Sequence, residues 1–370
     1  MSSVLLADVA HVIMGQSPDG LTYNKNRVGT PLLNGPAEFG DTNPVAVQWT
    51  SEPAKLSKVG DILFCVRGNT LGRQNIADKS YAIGRGLAAI RARKGKADTE
   101  FIGLWLKHKA AYLLAAGNGS TFPSVSGDYL ESLQFPDIGE EVQRQIAARL
   151  KAQLAEVDKA RQAAEAQLLE AGKLGNAIVF DSIRNGKTTK HHLGEVLEEV
   201  KQGIGETWAS YPVLGATRDG LAPAKEPPGK KPERYKPVFP GTVFYNPMRI
   251  LIGSIAFVDD DDTPGITSPD YVALQGKKGV VDSRWFYYWL RSPLGEHCIL
   301  SLARGAVRER MLFNRLADGE IELPDFTAQK MASSALAALK PMRRAIETKL
   351  NDINLLPQKI LAQAFGDACP

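Results

Sequence analysis

The chain has 370 residues, 44% hydrophobic and 23% charged, with a formal net charge of +4; this suffices for two or three domains with proper cores and gives no sign of disorder. No run approaches the roughly 18 apolar residues of a membrane span, and the start, MSSVLLADVA, lacks a basic flank and a small-residue cleavage site, so no membrane association is expected and the expected location is cytoplasmic. Cys65, Cys298 and Cys369 are odd in number and far apart, which argues against a disulfide framework or a Cys-based zinc site. No segment is a polycation, so any nucleic-acid binding must use local clusters placed by a fold.

In chain order, Leu6-Ala-Asp-Val runs into a turn at Gly15-Gln16-Ser17-Pro18. Short runs rich in Ile, Leu and Val follow at Thr30–Asn34, Asp61–Val66, Tyr81–Ile83 and Leu87–Ile90, separated by Gly, Pro, Asn and Asp, and predict a sheet with irregular connections. A helix capped near Asp98-Thr99 is expected to carry Phe101, Leu104, Trp105 and Leu106 to about Ala116, with Gly117-Asn118-Gly119 stopping it. After Leu130–Phe135 and Pro136, Gln143–Phe180 reads as one long helix, with Leu150, Val157 and Ala164 at seven-residue spacing and Ile146, Leu154 and Leu168 between them.

The second half repeats this order. Leu193-Gly-Glu-Val answers Leu6-Ala-Asp-Val, Pro240-Gly-Thr-Val-Phe-Tyr245 answers Val59-Gly-Asp-Ile-Leu-Phe64, and Trp289 falls on Trp105. Leu323-Pro324-Asp325-Phe326 answers Phe135-Pro136-Asp137-Ile138, and a second long helix carries Leu339, Ile346, Leu350, Ile353 and Ile360. The fold class is therefore α+β: two strand-rich modules joined by two long antiparallel helices in an intramolecular coiled coil, with a pseudo-two-fold internal duplication. The expected divisions are a first module over 1–138, a first spacer helix over 139–183, a second module over 184–326, and a second spacer helix with a tail over 327–370. The 38 residues of Gln143–Phe180, at roughly 1.5 Å each, give a strut on the order of 55 Å, against roughly 34 Å for a turn of B-DNA. Such a pair suits a ruler between two half-sites. Pro341 and Pro357 are expected to kink or restart the second helix.

Over essentially its whole length the chain resembles the DNA specificity subunit of type I restriction-modification enzymes. The matching elements are Gly60-Asp61-Ile62-Leu63-Phe64 with Arg67-Gly68, the Trp105 helix, Ser120-Thr121 before Leu130, Pro136 followed by Gln143-x-x-Ile146-Ala147, and Leu356-Pro357-x-x-Ile360-Leu361-x-x-Ala364-Phe365. The family's Glu before that Gln is Val142 and Ala328 here, and Ala171-Gly172 stands in the first copy where the second has Pro357. The resemblance implies that each half supplies a target recognition domain for a bipartite, asymmetric site in double-stranded DNA. It also implies docking of two adenine methyltransferase subunits and, in a full system, restriction subunits, with no catalysis by the chain itself.

The residues that could suggest catalysis read otherwise. Asn246-Pro247-Met248 lacks the second Pro and the aromatic of an amino-methyltransferase motif, no Gly-rich cofactor loop precedes it, and a strand-end turn is expected instead. Pro324-Asp325 with Glu347-x-Lys349 spells a loose nuclease pattern, but Glu347 and Lys349 fall on the long helix as solvated positions. Asp259–Asp262 could hold a hard cation and reads better as a solvated loop. The five histidines show no metal-ligand spacing and there is no GxxxxGK loop, so no metal or cofactor is expected.

Arg reads guanine bidentately, Asn and Gln read adenine, and Lys tracks phosphates, so candidate DNA contacts are polar donors on loops. In the first half they are Gln16, Ser17, Arg67, Asn69, Arg73, Gln74, Asn75, Arg85, Ser120 and Thr121; RGNTLGRQN over 67–75 also has glycines that let backbone approach DNA. In the second half they are Arg218, Arg249, Arg304, Arg308 and Arg310, with Lys230 and Lys231 in a Pro-rich loop that is a phosphate-gripping arm or a plain insertion. The aromatic set Trp285–Trp289 reads as core rather than as a base-stacking platform. A protein-only adaptor that pairs two binding modules through a helical hairpin is the alternative, and the Arg-, Asn- and Gln-bearing glycine loops favour DNA over it.

Overall fold

The computed structural model describes residues 2–116, 124–303 and 310–366. They form two compact units, one of residues 1–162 with 351–370 and the other of residues 163–350. Each combines one strand-rich module with a segment of both long helices.

The first module opens with β1 (Ser3–Leu5), α1 (Leu6–Val9), β2 (Ala10–Met14), β3 (Tyr23–Asn24), β4 (Thr30–Leu33) and β5 (Gln48–Thr50). It continues with β6 (Ile62–Cys65), β7 (Gln74–Ile76), β8 (Ala82–Ile83), β9 (Leu87–Ala92), α2 (Thr99–Ala116), α3 (Gly127–Glu131) and β10 (Gln134–Pro136), and then enters α4 (Glu140–Asn185). One antiparallel sheet has the order β2-β9-β6-β7, a second has the order β3-β5-β4-β8, and β1 pairs with β10. Strands β6 and β9 are buried over both faces because the sheets cover one face and α2 the other; they read as continuous apolar runs, not alternating ones.

The second module repeats the plan with β11 (Thr188–His192), α5 (Leu193–Val196), β12 (Leu197–Glu199), β13 (Leu214–Thr217), β14 (Gly220–Pro223), β15 (Lys236–Val238) and β16 (Thr242–Tyr245). Then come β17 (Ile255–Val258), β18 (Gly265–Thr267), β19 (Val272–Gly276), α6 (Ser283–Arg291), α7 (Pro293–Leu302), α8 (Phe313–Leu316), β20 (Glu320–Pro324) and α9 (Phe326–Phe365). Its sheet order, β12-β19-β16-β17, is that of the first module, and β11 with β20 answers β1 with β10. The duplication seen in the sequence is thus a duplication of topology.

Trp105, Trp285 and Trp289 lie in the core, as expected, and the indole N–H of Trp285 donates to Ser182 Oγ on α4 at 2.8 Å. Asp98 caps its helix as expected, accepting from Phe101 N, and Asp282 does the same in the second module, accepting from Trp285 N.

Both long helices are continuous, α4 over 46 residues and α9 over 40. In the first unit Ile146, Leu150 and Leu154 share a core with Ile360, Leu361, Ala364 and Phe365; in the second, Ile178, Val179 and Ile183 share one with Ala332, Leu336 and Leu339. The start of α4 meets the end of α9 and its end meets the start of α9, so the pair is antiparallel. Along the seam Leu150, Val157, Ala164, Leu339 and Ile353 are buried, while Leu168, Ile346, Leu350 and Ile360 are half-buried. The expected restart at Pro341 or Pro357 does not occur. Each proline removes one backbone donor, a loss on the order of 3 kcal/mol, and the apolar positions that α9 buries on both sides of them carry the helix through.

One device recurs at the head of each long helix. Gln143 is buried; its Oε1 accepts from Asp98 N at 2.9 Å, and its Nε2 donates to Ile138 O at 2.7 Å and Lys96 O at 3.3 Å. Gln329 is buried likewise, accepting from Asp282 N at 2.9 Å and donating to Pro324 O at 2.8 Å and Val280 O at 2.9 Å. Each amide thereby ties the long helix to the N-cap of the tryptophan helix and to the strand end that precedes it.

Candidate nucleic-acid interface

In the first module, strand register gathers the candidate residues at one end of a sheet. Cys65 lies opposite Leu87, Phe64 opposite Gln74, and Met14 opposite Ala88, so the segments after β2, between β6 and β7, and before β9 emerge side by side. Gln16 N donates to Ile83 O, and Arg85 N donates to Ser17 Oγ at 3.4 Å. The close approach needs glycine: a Cβ on Gly15 would sit 2.2 Å from Gly84 O, and one on Gly86 would sit 2.5 Å from Asn34 O. Arg67, Asn69, Arg73, Arg85 and Gln16 are exposed on this edge, Ser17 is half-buried, and among the described residues the three guanidinium groups make no ion pair. A cavity of about 460 Å³ beside Arg67 is lined by Met14, Ser124, Ser126 and Tyr129.

Two residues of the expected set are not available to a ligand. Asn75 is buried and donates to Gly40 O at 3.0 Å, because β7 turns it inward between its neighbours. Gln74 lies against α2 at Gly103, with its amide nitrogen buried. Ser120 and Thr121 lie outside the described residues, as do Arg304, Arg308 and Cys369. Asn34, exposed and donating to Gln48 Oε1 at 3.4 Å, belongs to the edge although sequence reasoning missed it. Gly84 and Gly86 around Arg85 were the signal, since both are forced by Asn34.

The second module presents the corresponding edge. Tyr245 lies opposite Val272 and Ile255, so the β16–β17 loop emerges where the β6–β7 loop does in the first module. Asn246-Pro247-Met248 is a turn, as expected: Met248 N donates to Asn246 Oδ1 and Arg249 N to Asn246 O, each at 2.9 Å. Arg249 is exposed there. Met311 N donates to Pro247 O, which brings Arg310 alongside; its guanidinium pairs with Asp270 at 3.2 Å, both groups half or more exposed. Lys230 and Lys231 are exposed on a loop that packs on the segment after β12, where Gly203 meets Glu233 and Arg234, and Ile204 N donates to Tyr235 O at 2.7 Å. That segment also exposes Lys201 and Gln202, missed in the sequence although they follow β12 as Gln16 follows β2. Arg218 stands apart, in the β13–β14 turn over the loop at Ile250–Gly253, beside a cavity of about 500 Å³.

The acidic loop Asp259–Asp262 is solvated only in part: Asp260 and Asp261 are exposed, Asp259 and Asp262 are shielded, and all four carboxylates meet a base. Asp259 and Asp260 pair with Arg284 of α6, while Lys340 of α9 reaches Asp262 at 2.9 Å, Asp259 at 3.4 Å and Asp261. Arg344 takes Asp261 and Asp262 at 3.0 and 2.8 Å, and Arg284 also donates to Ser333 Oγ. Sequence could not show this, because the bases lie 24 to 83 residues from the acids. Among the described residues no group of His, Cys, Asp and Glu could hold a metal.

The Lys340 ammonium holds the Asp261 carboxyl below its ordinary 3.8. A carboxyl depressed in the folded state adds stability in full above its unfolded value and loses it as pH falls through the folded one. The melting-temperature deficit of Asp261→Asn is therefore expected at neutral pH and should close below pH 3.8; a deficit that stays constant across the range contradicts the pairing.

A sheet built twice, with exposed cations on the loops at its end each time, defines a duplicated scaffold. Residues 2–167 match the family described as type I restriction modification DNA specificity domain. A Methanocaldococcus jannaschii protein carrying the name MjaX type I restriction enzyme specificity subunit is 41% identical over 141 residues, 38% of this chain and 33% of that relative. The aligned stretch thus spans about a third of the relative's length. A solved structure on complex assembly and conformational transition of the type I restriction-modification system aligns over 99% of this chain and 98% of its own, with 18% identity and TM-score 0.68. The HsdS subunit of Thermoanaerobacter tengcongensis aligns over 99% of this chain and 97% of its own, with 18% identity and TM-score 0.50. At that identity these two likenesses speak for the fold. Among the described residues no helix is long and apolar enough to cross a membrane.

Proposed function

We propose that the chain is the non-catalytic DNA specificity subunit of a type I restriction-modification assembly. Residues 1–138 and 184–326 act as target recognition domains for two different half-sites in double-stranded DNA. The helical segments 139–183 and 327–370 set their separation and dock two adenine methyltransferase subunits, joined in a full system by restriction subunits. The observation that carries the reading is the recurrence of exposed cations, Arg67, Arg73 and Arg85 in one module and Arg249, Lys230 and Lys231 in the other, on corresponding loop ends. Exposed guanidinium groups without protein partners suit phosphates and guanine edges, whereas a protein-only adaptor gives no reason for both modules to keep them at the same end.

Selection from randomised duplex DNA, with and without the cognate methyltransferase subunits, tests this. A single bipartite sequence with a fixed gap is the expected product. No enrichment under either condition would end the DNA reading in favour of the adaptor.

A further inference from the structure

The two modules are not fastened to their helices in the same way. Both use the buried glutamine, but only the second adds the ionic strap from the β17–β18 loop to α9. In the register that places Gln329 on Gln143, Lys340 and Arg344 fall on Leu154 and Asp158 of α4; in the register that places Trp289 on Trp105, Arg284 falls on Glu100. The first module therefore has an apolar residue and two acids where the second has three bases. Leu154 packs into the core of its unit, and Asp158 pairs with Arg161 on its own helix. Glu100 makes one exposed pair with Lys151. The first module's counterpart of the acidic loop holds Asp78, which accepts from the Tyr81 hydroxyl at 2.5 Å and makes no bond to α4 among the described residues.

The strap is built to fix orientation. Arg284 projects from the helix that packs on the sheet, and Lys340 and Arg344 project from the spacer one turn apart, so four carboxylates of one loop are held from two directions. Asp259, Asp262 and Arg284 are largely shielded from solvent, with side chains 9, 10 and 16% exposed, which sets them apart from the loose exposed pairs along α4. A cavity of about 210 Å³ between loop and helix is lined by Asp259, Asp262, Lys340 and Arg344 with Tyr287 and Tyr288, so charged contacts span this part of the junction.

We infer that Lys340 and Arg344 are specificity-determining positions for the gap between half-sites: they hold the second recognition domain at one angle on its spacer. This rests on the DNA-reading function proposed above. Bases are read by the loop edge, so loosening the strap leaves both half-site sequences unchanged and widens the set of spacings accepted. The first domain, which shows no such strap among the described residues, contributes no comparable sensitivity.

The test uses the chain assembled with its methyltransferase subunits and a duplex series in which the selected half-sites are kept and the gap is lengthened or shortened by one and two base pairs. The unmodified assembly should prefer one gap by 30-fold or more, whereas K340A/R344A should bind the neighbouring gaps within about 5-fold of the selected one. D261N/D262N should do the same from the other side of the contact, and K340R/R344K should keep the single gap. Should K340A/R344A not fold, D261N/D262N carries the test, since it removes charge without removing bulk. An unaltered single-gap preference in D261N/D262N overturns the inference with the DNA-reading function intact. Failure of the unmodified assembly to prefer any bipartite duplex overturns the DNA-reading function and this inference with it.

Discussion

Gln329→Leu is expected to lower the unfolding free energy by about 3 to 5 kcal/mol, far more than its near-isosteric shape suggests, because it strands three backbone groups whose loss of a partner costs about 1 to 3 kcal/mol each. The amide joins Asp282 N, Val280 O and Pro324 O, which belong to the cap of α6, the turn before it and the strand end before α9. Leucine fills the volume and satisfies none of them, so the cost is of lost hydrogen bonds and not of a cavity. Gln329→Glu should be worse, since it keeps the acceptor for Asp282 N but turns a carboxylate toward two carbonyl oxygens. Gln143→Leu should act alike in the first unit, while Gln162→Leu on an exposed face of α4 should stay within about 0.5 kcal/mol. Urea unfolding followed by the fluorescence of buried Trp285 and Trp289 measures the effect. A loss under 1 kcal/mol at both Gln143 and Gln329 would show that the clamps are incidental.

Local pattern against long-range contact decides which parts of this molecule could be read from its sequence. The Trp105 and Trp289 helices, the Asp98 cap and the heptad seams rest on residues three to seven apart, and these emerged as expected. The duplication was legible because it needs only order and spacing, not contact. Gln143 was visible as part of a motif, but its three partners lie 5 to 47 residues away and no spacing encodes them. Asp259–Asp262 looked like a solvated loop because acids followed by Thr-Pro-Gly usually are, and only the folded chain brings Lys340 and Arg344 to them. Asn75 and Arg73 are equivalent in a sequence window, yet Asn75 lies within β7 and is buried against Gly40 O, while Arg73 stands in the loop before the strand and is exposed. At Pro341 and Pro357 the restart that local preference allowed does not occur, because the apolar positions flanking them carry the helix through.

The loop edge of the first module makes the sharpest prediction about recognition, because its arginines and the second module's lysines should fail in different ways. Arg67→Ala should weaken binding of the selected duplex by about 10- to 100-fold, as expected for losing one bidentate contact worth roughly 1 to 3 kcal/mol, and should relax base discrimination at one position of the first half-site only. The glycine-packed backbone beneath Arg67 and Arg85 makes that contact directional: Gly15, Gly84 and Gly86 leave no room for the loops to shift and re-form it elsewhere. Lys230→Ala with Lys231→Ala should instead weaken all duplexes by a similar factor and reduce the steepness of the salt dependence by about 2, one released counterion per phosphate contact, because these side chains stand on a loop packed only at its base. Competition binding against single-base variants of the selected duplex, repeated at several salt concentrations, separates the outcomes. A uniform loss from Arg67→Ala would reassign it to the phosphate backbone. No loss at all would take the β6–β7 loop out of the interface and move the reading of the first half-site to Gln16, Asn34 and Arg85.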